Sequence, residues 1–96
     1  MATPNVTNNT AAGQFEIHTE AGTAVLRYLP EGDRLDLVHT EVPDQFQGRG
    51  FGDALVRTAL DYARQEGLKV VPTCPFVRKF LARHQEYADL VARNGA

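Results

Sequence analysis

The chain has no tryptophan, one methionine and one cysteine, Cys74, in 96 residues. A lone thiol cannot form an internal disulfide, so the fold must hold without the staples of small secreted domains. Charge of neither sign dominates: ten Lys and Arg against twelve Asp and Glu leave a net charge of −2. That gives no basic footprint for nucleic acid and no polybasic segment for a membrane surface, and binding to neither is expected. Long apolar runs are also missing, and Met1–Thr10 has neither the charged start nor the apolar core of a signal peptide. A cytoplasmic location is the expectation.

What is present describes one small domain. Hydrophobic residues make up 43% and charged residues 23%. Folding a chain of this length removes only about 60–65% of its surface from water. Residues 1–13, rich in Asn, Thr and Ala without periodicity, read as a flexible leader, and residues 14–96 as the domain. From Gln14 the pattern has period two: Phe15 and Ile17 alternate with Glu16 and His18, and Ala24–Leu29 follows after Gly22. Pro30-Glu31-Gly32-Asp33 marks a turn, and Arg34–Val42 a third strand with Leu35, Leu37 and His39 on one face. Connections this short predict an antiparallel meander.

The period then becomes helical. From Gly50 to Gln65, residues Phe51, Ala54, Leu55, Thr58, Ala59, Tyr62 and Ala63 form one apolar stripe, opposite a solvated ladder of Asp53, Arg57 and Asp61. Gly67 is placed to stop this helix, and Lys69-Val70-Val71 reads as a strand parallel to the third. A short C-terminal helix begins near Pro75. The expected class is α/β of the α+β kind: meander, glycine loop, helix, parallel strand, closing helix.

Gln47-Gly48-Arg49-Gly50-Phe51-Gly52 joins the third strand to the long helix. Glycines let several backbone N–H groups approach an anion together, and the helix adds the positive end of its dipole. The spacing is not the dinucleotide pattern, and the Lys-Ser/Thr pair of a nucleoside-triphosphate loop is missing. A plain tight turn is the competing reading. Cys74, ahead of Pro75, would stand at a helix N-cap, where the dipole favours thiolate. It would share the carboxyl edge of the parallel strands with the glycine loop; a buried structural cysteine is the alternative.

Gln47, Gly50 and Gly52 fit Gln-x-x-Gly-x-Gly, which resembles the coenzyme A pyrophosphate loop of the GNAT superfamily of acetyltransferases. With His39-Thr40-Glu41-Val42-Pro43, the run Val70–Val77 and Glu86-Tyr87, residues 14–91 resemble its small stand-alone domain, the YjdJ-type or N-acetyltransferase domain-containing family. The resemblance implies acetyl-CoA or coenzyme A as cofactor, with the pyrophosphate on Gln47, Gly48, Arg49, Gly50, Phe51 and Gly52. It also implies a pantetheine arm near Val42 and Cys74 beside the acyl group. Only Glu20–Thr23 joins the first two strands, where larger members insert helices that wall the acceptor site.

Two catalytic routes remain open for an amine acceptor of unknown identity, small molecule or protein. Glu41 or His39 removes the amine proton for direct attack, or Cys74 carries the acetyl group as a thioester. A non-catalytic coenzyme A or acyl-CoA module is the alternative to an enzyme. No metal site is expected, and the chain is expected as a monomer or weak dimer.

Overall fold

Alternation of apolar and polar residues becomes a sheet in the computed structural model, which describes residues 4–92. Among these residues, β1 (Thr7–Asn9), β2 (Gln14–Thr19), β3 (Gly22–Glu31), β4 (Arg34–Glu41) and β5 (Lys69–Val71) lie side by side in chain order. The first four pair antiparallel and β5 runs parallel to β4. The terminal pairs Thr19↔Gly22 and Glu31↔Arg34 leave two-residue turns, which permit only antiparallel neighbours. Gly32 begins the second turn at φ 61, the left-handed conformation that a tight hairpin needs. Pro30 is tolerated because it lies past Arg27, the last β3 residue that β2 pairs.

The glycine loop feeds α1 (Phe51–Glu66), which returns the chain to β5 and stops at Gly67, φ 70, whose N–H reaches the Ala63 and Arg64 carbonyls. One face of the sheet packs on α1. Phe15, Leu26, Leu35, Leu37 and Val70 meet Leu55 and Leu60 in a core of residues at most 1% exposed. α2 (Pro75–Arg83) and a 3-10 segment, Gln85–Leu90, then close over α1. The expected meander, crossover and closing helix are therefore all present. No helix among the described residues is long and apolar enough to cross a membrane.

Three expectations need correction. The leader is not wholly outside the fold: β1 pairs Thr7–Asn9 with Glu16–Gln14, and Val6 packs against the core. Its attachment is polar, which is why hydrophobic periodicity does not mark it. The Tyr28 hydroxyl donates to Asn8 Oδ1 at 2.6 Å, and Asn9 donates to Glu16 at 3.1 Å. Residues 1–3 of that leader and 93–96 of the domain lie outside the described residues.

The buried stripe of α1 is also rotated, to Gly52, Leu55, Val56, Ala59, Leu60 and Ala63. Val56 and Leu60 are covered because the C-terminal segment packs on α1 beside the sheet. The charged ladder is likewise not simply solvated. Asp53 meets Arg83 at 3.5 Å, while Tyr87 accepts from Arg57 at 3.4 Å and donates to Asp61 at 3.3 Å.

Candidate functional site

A 3-10 turn, Asp44–Phe46, leads from β4 into the loop. Gly48 and Gly50 take φ 80 and 83, a region costly for residues with a Cβ. Gly50 is the N-cap of α1, and its carbonyl accepts the Ala54 N–H at 2.9 Å. No side chain caps this end, so the Phe51, Gly52 and Asp53 amides have no protein acceptor among the described residues. An anion fits there: these amides are free to donate at the positive end of the helix, and a Cβ on Gly48 or Gly50 would meet nothing within 4 Å. Gln47 fastens the loop, its Nε2 donating to the Val42 carbonyl at 3.1 Å and to Asp44 at 3.3 Å. The Phe46 and Phe51 rings stack at 5.2 Å, and Arg49 lies over Phe46 at 5.3 Å.

The other half of the site comes from the parting of β4 and β5. They pair only from Arg34↔Lys69 to Asp36↔Val71; then the Cys74 N–H donates to the Leu37 carbonyl at 2.9 Å and the chain turns into α2. Residues 37–41 of β4 continue without a strand on that side. A β-bulge lies here, since Tyr28 pairs Leu37 but Arg27 pairs His39. The extra residue, Val38, resets the alternation. Thr40, paired with buried Leu26, thus faces the core side, and His39 and Glu41 face the opposite side.

This corrects the placement of His39 on the Leu35–Leu37 face. His39 and Glu41 are well exposed and 3.7 Å apart, so they approach each other rather than Cys74. Glu41 lines a concavity of about 550 Å³ with Gly22, Thr23 and Asp44, bounded also by Thr40, Val42 and Gln47.

Cys74 is the N-cap of α2, as its position before Pro75 implies, but it is buried, with 4% of its surface exposed. Its Sγ lies 3.5 Å from Thr40 Oγ1. Burial pushes the thiol pKa up. The Thr40 hydroxyl and the Val77, Phe76 and Thr40 amides outweigh that effect, leaving the pKa below its ordinary value. No hydrogen bond of strict cap geometry closes on the sulfur, so the amides act on it as aligned dipoles.

Between these halves lies a cleft of about 530 Å³. Six residues expected from the sequence contribute to it: Val42, Gln47, Gly48, Gly50, Phe51 and Gly52. Arg49, Cys74, His39 and Glu41 are not in its lining. Thr40, Phe46, Asp53 and Phe76 join it without having been expected, and so does Arg83, which with Arg78 and Lys79 reads from the sequence as a basic solvated face rather than as a phosphate contact. The bulge concealed Thr40, because simple alternation from Leu37 points it outward. Phe76 and Arg83 carried a legible signal: seven residues apart, they share a helix face. Gly52 is helical and close-packed, for its Cβ would stand 2.7 Å from the Phe76 ring.

The comparisons agree with this architecture. A family model described as GCN5-related N-acetyl-transferase matches residues 14–90. Protein NATD1 of Bos taurus is 46% identical over 59 residues, which span 60% of this chain and 52% of that protein. Protein NATD1 of Danio rerio is 37% identical over 83 residues, spanning 81% and 76%. The match thus covers about half the length of the bovine relative. The NMR solution structure of a GCN5-like protein from Staphylococcus aureus superposes with a TM-score of 0.72, covering 99% of this chain and 96% of that one. At 22% identity it speaks for the fold.

Proposed function

The chain belongs to the GCN5-related N-acetyltransferase family, and from that premise we propose that it is an acetyl-CoA-dependent N-acetyltransferase acting on an amine, small molecule or protein. The observation that carries the reading is the cleft, where the uncapped start of α1 and the unpaired end of β4 face one space. The loop amides bind the pyrophosphate, and the β4 edge near Val42 orients the pantetheine arm. Acetyl-CoA supplies an activated acetyl thioester. The acceptor nitrogen attacks the thioester carbonyl, the carbon–sulfur bond breaks, and coenzyme A leaves as the thiolate, which takes up the proton that the amine has lost and becomes the thiol. Glu41, whose concavity shares Thr40, Val42 and Gln47 with the cleft, or its neighbour His39 takes the amine proton from the rim of β4.

Burial of Cys74 behind Thr40 favours this direct transfer over an acetyl-Cys74 route. One observation favours a non-catalytic coenzyme A module. The two-residue turn between Thr19 and Gly22 supplies no helix to wall an acceptor site.

Calorimetric titration with acetyl-CoA, followed by thiol release with polyamines, amino acids and basic peptides, separates these readings. The enzyme gives saturable heat and amine-dependent release, and the module gives heat alone. A loop that is only a turn gives neither. Intact mass after incubation with acetyl-CoA, with Cys74→Ser as control, tests the covalent route.

A further inference from the structure

The cleft carries opposite charges that the loop chemistry does not use. Asp53 stands in the first turn of α1, where a carboxylate suits the helix dipole but opposes any anion seated on the same amides. Facing it from the last turn of α2 is Arg83, the one cationic side chain among the described residues of the lining. Their contact is long and wet: Arg83 donates to Asp53 Oδ1 at 3.5 Å, with side chains 58% and 39% exposed. Such a pair holds its members only weakly.

Of the neighbouring cations, Lys79, one turn before Arg83, is exposed but does not line the cleft, and three others are held by contacts of their own. Arg78, one turn earlier on α2, donates to the Thr73 and Pro72 carbonyls at 2.8 and 3.2 Å. Arg57 lies over the Phe80 ring and donates to Tyr87, and Arg49 lies over Phe46.

We propose that Arg83 reads the phosphate-bearing end of the coenzyme, exchanging its loose contact with Asp53 for a phosphate oxygen. This rests on the acetyl-CoA reading above. The guanidinium suits the task because its planar fork donates two parallel bonds to a phosphate, stronger than one long bond to an exposed carboxylate. Asp53 is then the competitor that holds Arg83 across the cleft mouth before the ligand arrives. The selected ligands are acyl carriers bearing nucleotide phosphates, and uncharged pantetheine derivatives are disfavoured.

The test is calorimetry with coenzyme A, dephospho-coenzyme A and 4′-phosphopantetheine on the whole chain. Arg83→Gln should weaken coenzyme A binding about tenfold. Arg83→Lys should recover part of the loss, and the salt dependence should flatten in Arg83→Gln. A loss confined to coenzyme A identifies the 3′-phosphate as the partner, and an equal loss for all three ligands identifies the phosphate on the pantetheine arm. Asp53→Asn should bind coenzyme A about threefold tighter, because the competitor is gone. Equal melting temperatures show that the variants fold. Wild-type binding with unchanged affinity in Arg83→Gln overturns this inference alone, as does weaker binding in Asp53→Asn. No binding by the wild type overturns the acetyl-CoA reading and takes this inference with it.

Discussion

The Phe76 ring occupies the space that a side chain on Gly52 would need: a Cβ there would stand 2.7 Å from the Phe76 Cζ and 2.9 Å from Cε2. The third glycine of the loop is thus set by packing between the start of α1 and the start of α2, and its backbone is helical. Gly52→Ala should push the ring aside, and the ring can yield because Phe76 is 36% exposed. Helix propensity offsets the displacement by up to about 1 kcal/mol, so thermal stability should hold. Acetyl-CoA affinity should fall because the cleft lining moves. Gly52→Ala combined with Phe76→Ala should keep its stability and clear the clash; calorimetry and melting curves decide the matter. A Gly52→Ala protein with wild-type affinity would show that the ring position is immaterial.

Gly50 differs in kind. A Cβ there meets nothing within 4 Å, but φ is 83, so the cost of substitution lies in the backbone. Gly50→Ala should lose about 1–2 kcal/mol in urea unfolding. Gly50→Asn should lose less, since Asn tolerates the left-handed region. A β-branched Gly50→Val should lose the most and fail to bind acetyl-CoA. Equal stability for Ala and Asn replacements would refute the conformational account.

How far the sequence foretold this follows from the same physics. Period-two stretches, two-residue turns and the stop at Gly67 each act within a few residues, so β2 to β5 and α1 were readable. The glycine loop was readable as a special backbone, though Gly48 and Gly50 are needed for their φ and Gly52 for its neighbour. The β-bulge at Val38 was not readable, since bulges leave no local pattern. It alone decides that Thr40, rather than His39, meets Cys74. Arg83 on Asp53 is a contact between residues 30 apart, which periodicity cannot report.

Glu16 should make stability depend on acid. Gln14 donates to its carboxylate at 2.6 Å, Asn9 at 3.1 Å, and His18 Nε2 stands at 3.2 Å. These hold its pKa below the usual carboxylate value despite opposition from burial. A depressed folded-state pKa means that the contribution is complete above the unfolded value of about 4.3, and fades as pH falls through the folded value. Urea unfolding of wild type and Glu16→Gln should therefore differ at neutral pH and converge in acid. A gap that is constant with pH would assign the effect to the hydrogen bonds of either side chain and not to the charge.

The Thr40–Cys74 contact yields the last prediction. Thr40→Val replaces the hydroxyl 3.5 Å from Sγ with a methyl of similar size, so packing is kept while one donor is lost. Burial then has less opposing it, and the thiol pKa should rise from its lowered value. The sign for stability follows. A thiol with a depressed folded-state pKa contributes above the unfolded value of about 8.5, and loses that contribution as pH falls through the folded value. Wild type should therefore gain stability over Thr40→Val in mild alkali. The pH profile of thiolate absorbance reads the shift directly, while alkylation by iodoacetamide should be slow in both proteins because the sulfur is buried. Coinciding absorbance profiles would mean that the α2 amides alone set the thiol, and Thr40 would then keep only its place in the cleft wall.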